Sequence, residues 1–176
     1  MGQELNKALE AVELTYSQVK EIADNLVYPL FQPANQLIYE IETNINNLSI
    51  EALRDYLLRA QLCAYNISEF KDKSGIKAEV AEATKKQAYA ISYNGAEGSV
   101  ANRDAQATLA ISENVVAQCL YNLVASMAKT KLDSLHRLID TLKSILMSRM
   151  QEAKFMNIGM SNEIAPTTNG HVVLHS

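Results

Sequence analysis

The stretch "LDSLHRLIDTLKSIL", residues 132 to 146, carries a row of five large apolar side chains at alternating steps of three and four residues. These side chains are Leu132, Leu135, Ile139, Leu142 and Leu146. The spacing puts them on one side of an α-helix and predicts that this side is buried against a neighbour. The stretch therefore predicts a long amphipathic helix and an all-α class of fold.

Neither glycine nor proline occurs between residues 99 and 158, the segment that surrounds this stretch. A continuous helix over this segment would approach roughly 75 to 80 Å in length. The apolar spacing slips by five residues between Met127 and Leu132, which indicates a stutter or a bend. A helix of this length cannot bury its apolar stripe inside a compact monomer unless it folds back as a hairpin. We expect it to pair with other subunits, which predicts a homo-oligomer.

The segment "AISYNGAEGSVANRDAQA", residues 90 to 107, separates this helix from the one before it and holds two of the six glycines. Asn94-Gly95 suits the positive φ angle that often ends a helix. Ser99 or Asn102 can then cap the next helix. The segment lacks the GxxxxGK[ST] pattern of a phosphate-binding loop, so it is predicted to be a corner.

The first part of the chain also has a heptad-like row of apolar residues, with one step skipped at Ala23. The row consists of Leu5, Leu9, Val12, Tyr16, Val19 and Leu26. Pro29 and Pro33 are expected to break or kink this helix, because proline lacks an N–H and clashes with the preceding turn. A second helical piece is expected over about 34–46.

The segment "NNLSIEALRDYLL", residues 46 to 58, predicts that a new helix begins there. Ser49 is a suitable N-cap, and Leu48 can pack on Leu53 across the first turn. In "KDKSG", residues 71 to 75, Gly75 is expected to end or bend this helix, which resumes over the following small apolar residues.

Residues 157–176 lose the helical periodicity and gain Gly, Pro, Asn and Thr. They are expected to form a flexible tail, with a short "HVVL" strand docked on a partner as the alternative. The prediction is thus a single elongated helical domain over residues 1–156, built as an antiparallel bundle or a coiled-coil-like assembly.

The formal net charge of −4 disfavours a strongly basic nucleic-acid binder, but the charge is unevenly distributed. Residues 1–69 carry a net −6 and residues 129–154 a net +3. This gradient is typical of solvated helix faces, and it also suits self-association or a local contact with phosphate. No signal peptide or membrane span is predicted, and the two cysteines form no disulfide framework, which favours the cytoplasm.

The sequence contains no pattern that predicts catalysis. His136 has Asp133 and Asp140 at helical spacing, which is a weak metal pattern, and a ladder of surface charges with Arg137 is the simpler interpretation. The Glu-x-x-His motifs of di-iron bundles are missing from the sequence. We expect no enzyme activity, no metal and no cofactor.

Basic and aromatic residues adjoin in "KKQAYAISYNG", residues 85 to 95. Tyrosines stack on unpaired bases when basic side chains lie beside them, and they also pack on each other at a spacing of four. The candidate nucleic-acid-binding residues here are Lys85, Lys86, Tyr89, Tyr93 and Arg103. The candidates in the basic segment downstream are Lys129, Lys131, Arg137, Lys143 and Arg149.

Residues of about 80–155 resemble the UvsY-type recombination mediators of large tailed phages and small helical proteins encoded near phage recombinases. The matching positions are Lys85, Lys86, Ala88, Tyr93 and Gly95, followed by Tyr121, Ile139, Asp140, Lys143 and Ser144. This chain has Ala90 and Ser92 where that family has further basic residues. The resemblance implies an oligomeric accessory protein that binds single-stranded DNA and helps to load a recombinase.

Two functions follow as hypotheses. The first is the recombination accessory, which would act in the cytoplasm of a host cell. The second is a structural or interaction protein, such as a virion component, a scaffold or a protein that binds a host factor, whose helices serve only for assembly.

Overall fold

The computed structural model describes residues 2–44 and 48–162, with side chains described over 12–44 and 48–156. The described residues form four helices: α1 (Gly2–Asn44), α2 (Ile50–Gly95), α3 (Val100–Ala110) and α4 (Ser112–Asn162). The all-α class is therefore confirmed. The outer part of the expected tail, including "HVVL", lies outside the described residues, whereas residues 157–162 continue α4.

The helices pack as a long bundle in which α2 is antiparallel to both α1 and α4. Near the end of α1, Glu40 binds Arg59 near the start of α2, with 2.7 Å between Oε2 and Nη1. Near the end of α2, Lys85 donates to Gln118 near the start of α4, over 2.7 Å. The short α3 lies along the end of α2, and α1 and α4 run in the same direction.

The stretch 132–146 supplies the centre of the hydrophobic core. Leu132, Leu135, Ile139 and Leu142 are buried, and Leu146 packs half-buried at the edge of the same cluster. From α2 the cluster receives Leu53, Ile67 and the small buried residues Ala60 and Ala64, and α1 adds Leu37 and Ile41. Alanines at the contact allow the helix backbones to approach closely, so that the leucines of α4 fill the space between them.

The stripe of α4 is thus covered by α1 and α2 of the same chain. The expectation that this stripe needs another subunit was wrong, because the chain folds back as a hairpin of α2 against α4. The length of α4, which has 51 residues, does not by itself require an oligomer. A homo-oligomer remains a prediction, and its support has to come from the outer surface.

The expected break at the prolines does not occur, since α1 continues through Pro29 and Pro33. Both prolines are solvent-exposed, so the carbonyls that lose an N–H partner, those of Asn25 and Pro29, lie where water can reach them. On the opposite side of the helix, Val27 and Ala34 are buried in the core. Packing of the residues before Pro29 and after Pro33 against the core keeps the helix continuous, despite the low helix propensity of proline.

The interruption expected at Gly75 does not occur either. Gly75 lies inside α2, between the buried residues Ser74 and Ala78, and does not interrupt the helix. The apolar slip between Met127 and Leu132 lies inside the uninterrupted α4, and the continuous helix expected over residues 99–158 is instead interrupted at Ile111, between α3 and α4. The buried row of α1 also differs from the expected one, because Ala23 and Val27 are buried while Leu26 is 44% exposed.

The segment 90–107 is a corner, as predicted, but the glycine with the positive φ angle is not the expected one. The positive φ angle, 103°, belongs to Gly98, whereas Gly95 is the last residue of α2. Ser99 is the N-cap of α3, and its hydroxyl accepts from the amide of Asn102 over 3.3 Å. Ser49 caps α2 in the same way, accepting from the amide of Ala52 over 3.1 Å.

Leu135→Ala is expected to lower the free energy of unfolding by about 3 kcal/mol, because it removes a fully buried side chain and leaves a cavity. Urea unfolding followed by circular dichroism measures this loss. Leu14→Ala is the control, since Leu14 is 63% exposed and its replacement should change stability by about 0.5 kcal/mol or less. Equal losses in the two variants would contradict the described core.

Candidate functional site

Two tyrosines, an arginine and an aspartate meet where the end of α2 lies against α3, and we call this group the tyrosine cluster (Tyr89, Tyr93, Arg103, Asp104). The rings of Tyr89 and Tyr93 stack with 6.0 Å between their centroids and 17° between their planes. The guanidinium carbon of Arg103 lies 4.8 Å from the centroid of Tyr93. The hydroxyl of Tyr89 donates to Asp104, and this bond, together with burial, raises the pKa of Tyr89.

The tyrosine cluster joins α3 to α2 by contacts that also occupy its aromatic surface. Tyr89 and Tyr93 are both half-buried and stack on each other, and Arg103 lies over one of the rings. Stacking on a nucleic-acid base needs an open ring face. The carboxylate of Asp104 beside Tyr89 would also repel phosphate. The predicted packing of Tyr89 on Tyr93 is therefore observed.

The two lysines beside the tyrosine cluster have partners of their own. Lys86 forms an ion pair with Glu82, with 2.7 Å between Nζ and Oε1, and this pair holds the pKa of Glu82 below its ordinary value. Lys85 donates to Gln118 of α4. Lys86 is nevertheless well exposed, so it can exchange its surface ion pair for a phosphate at small cost.

The five cationic candidates of α4 contact different neighbours. Lys129 and Lys143 line shallow cavities together with residues of α2, whereas Lys131 lies beside α1 and donates to Asn35. Arg149 pairs with Glu152 over 3.6 Å, and Arg137 is exposed. The structure therefore distributes these side chains around the helix and brings only Lys129 and Lys143 to one side.

Lys131 lies in an inward position, although the sequence predicts it as part of a basic surface. Its burial lowers the pKa of the ammonium group, and burial raises the pKa of the nearby Cys63 thiol. The signal was present in the sequence, because Lys131 lies seven residues after the buried Val124, at a spacing that returns to the same side of a helix.

The sequence did not predict an apolar groove that lies between the first half of α1 and the start of α4. It has a volume of about 400 Å³, and α1 contributes Val12, Tyr16 and Val19 while α4 contributes Val116 and Cys119. The available signal was the apolar row of the first helix, which extends toward the N-terminus beyond the core.

The part of the chain that the structure describes contains no cluster of potential metal ligands. No group of three His, Cys, Asp or Glu side chains there is arranged to hold an ion, and His136 instead lines a cavity with Tyr65 and Lys143. None of the described helices combines the length and apolar composition that a bilayer span requires.

Comparison with known proteins provides no relative for this fold. No protein-family model matches the chain, and neither a curated protein nor a solved structure matches it. The resemblance to UvsY-type mediators therefore stays a prediction from the residues that carry it.

Lys131→Met is expected to raise the thermal stability at pH 7, since methionine avoids the cost of a partly buried ammonium. Because the pKa of Lys131 is lowered in the folded chain, the wild type gains stability as the pH rises through that value toward about 10.5, the ordinary lysine value. The difference in thermal stability between the variant and the wild type should therefore become smaller as the pH rises over that range. Thermal unfolding at a series of pH values measures it.

Lys154→Met, which replaces an exposed lysine of the same helix, serves as the matched control and should have a thermal stability at pH 7 close to that of the wild type. A variant at Lys131 less stable than the wild type at pH 7 would mean that the bond to Asn35 outweighs the cost of burial.

Proposed function

We propose that this chain is a non-enzymatic helical protein that works by assembly, using its helix faces to bind other protein chains, among them copies of itself. The observation that carries this proposal is the exposure of large apolar side chains on every helix. Val12 of α1, Tyr65 of α2, Leu109 of α3 and Phe155 of α4 are between 64% and 75% exposed. Exposed apolar groups that form patches commonly mark binding surfaces.

Burial of these apolar surfaces against another chain lowers the free energy of association. Burying one Val, Leu or Phe side chain contributes roughly 1.5 to 3 kcal/mol, so a handful of these residues offsets the entropy lost when two chains associate. The groove formed by Val12, Tyr16, Val19, Val116 and Cys119 adds a concave apolar surface of the kind that receives a side chain or a helix. Such a protein would serve as a virion component, a scaffold or a binder of a host factor.

The purified chain is expected to have a mass in solution that is a multiple of its 19.5 kDa at micromolar concentration. Size-exclusion chromatography with light scattering measures that mass, and a dilution series gives the affinity. A compact monomer throughout the series would contradict self-assembly.

A second candidate is a recombination accessory that binds single-stranded DNA and cooperates with a recombinase in the host cytoplasm. The observation in its favour is that Lys85 and Lys86 lie about one turn before Tyr89 and two turns before Tyr93 on α2, where Arg103 of α3 lies over the ring of Tyr93. Lys129 and Arg137 add cations without an ion pair among the described residues. The acidic balance of the chain and the occupied rings of the tyrosine cluster favour the assembly proposal over this one.

Fluorescence anisotropy with a labelled single-stranded oligonucleotide tests the second candidate. Binding should be measurable at low salt and fall steeply as salt rises, because each phosphate contact releases counterions. Lys86→Ala with Arg103→Ala should weaken binding about tenfold or more, whereas Lys20→Ala, which removes a lysine paired with Asp24 on α1, should leave it unchanged. Absence of binding at low salt would eliminate the candidate.

A further inference from the structure

A second heptad-spaced row of residues runs along the outside of α2. The residues that follow the three- and four-residue steps of an amphipathic stripe, and that are nevertheless all exposed, are Asp55, Leu58, Leu62, Tyr65, Glu69, Asp72 and Ile76. The four apolar members are between 56% and 69% exposed. A helix that packs on one side needs one stripe, so a second stripe on α2 indicates a second packing partner.

Tyr65, Asp72 and Ile76 of this row line a shallow groove between α2 and α4, which we call the open face, whereas Leu62 lies on the side of α2 that faces α1. One cavity in it is lined by Asp72, Ile76 and Lys129, among others, and a second by Tyr65 and His136. Every described residue that lines these two cavities belongs to α2 or α4. By contrast, residues of α1 such as Phe31 and Pro33 line cavities on the other side of the pair.

The two rims of the open face differ in charge. The α2 rim carries Asp72 and Glu79 with one cation, Lys71, and Asp55 and Glu69 continue the acidic row along the helix. The α4 rim carries Lys129, His136 and Lys143 at intervals of seven residues, and Lys143 also lies 3.6 Å from Asp140 of its own helix. Asp72 lies 3.1 Å from its neighbour Lys71, and Asp55 is 3.8 Å from Arg59, so both acids keep most of their surface in solvent. Lys129 has no ion pair within the described part of the chain.

We propose that the open face binds a second copy of this chain, related by a twofold axis parallel to the helices. This inference rests on the proposed self-assembly and names its surface. Such an axis puts α2 of one copy against α4 of the other at the same height and in antiparallel orientation. The acidic rim of each copy then meets the basic rim of its partner, whereas an axis across the helices would put acidic rim against acidic rim.

The register within the chain determines which residues meet across this axis. Asp72 and Lys129 line one cavity and therefore lie at the same height, so each Asp72 faces the Lys129 of the other copy. Tyr65 and His136 face each other for the same reason. Lys143 falls within about one turn of Asp55. Leu58 and Ile76 are buried between these polar contacts, and the two hairpins form a four-helix bundle.

Two charge-reversal variants test this surface. The first combines Asp55→Lys with Asp72→Lys, and the second combines Lys129→Asp with Lys143→Asp. Each variant alone brings like charges together twice in a symmetric dimer, so its dissociation constant should rise about a hundredfold or more and it should run as a monomer. In an equimolar mixture, a heterodimer restores every opposite-charge contact, and the dimer should return.

The mixture separates an effect between copies from an effect within one chain, because a contact within one chain cannot be restored by a second chain. A control variant with Glu42→Lys and Arg137→Asp changes the same number of charges at exposed residues that line neither cavity, and it should keep the mass of the wild type. Circular dichroism confirms that all variants are helical.

The outcomes distinguish the two proposals. If the wild type self-associates and both reversal variants do so equally well, the open face is not the interface, although self-assembly stands. If the variants are monomers and their mixture stays monomeric, the reversals act within the chain and the proposed surface is wrong. A monomeric wild type removes both proposals.

Discussion

The contact between the leucine stripe of α4 and the alanine-lined side of α2 is the interaction on which the rest of the structure depends. Ala60 and Ala64 let the two backbones approach, and Leu135 and Leu142 fill the space with almost no exposed surface. Because this contact is continuous along the hairpin, α1 needs only to pack on one side of it, and the other side stays open. The fold thus leaves one long surface without a partner in its own chain.

This arrangement gives the end and the middle of the hairpin different properties. At the α2–α3 end, aromatic and charged side chains contact each other, as Tyr93 and Arg103 do. Along the middle of the hairpin, charged side chains such as Lys129 and apolar ones such as Tyr65 are exposed on regular helical spacing. Regular spacing along the surface suits another helix, and this favours protein assembly over the binding of a nucleic acid.

Much of the helical structure could be predicted from the sequence, because the spacing of Leu132 to Leu146 and the caps at Ser49 and Ser99 are local signals. What covers each stripe could not, since periodicity indicates that a side is buried and does not indicate against which chain. The continuity of α1 through Pro29 depends on packing by distant residues. The inward location of Lys131 likewise depends on α1, and the apolar groove beside Val116 on how α1 crosses α4.

The most direct test of the proposed interface is amide hydrogen exchange measured at two protein concentrations, one above and one below the dissociation constant of the dimer. If the open face is the dimer interface, peptides covering residues 55–79 and 129–147 exchange more slowly at the higher concentration, while those covering 85–104 exchange at the same rate at both concentrations. Equal exchange of all peptides at both concentrations, or protection confined to α1, would contradict it.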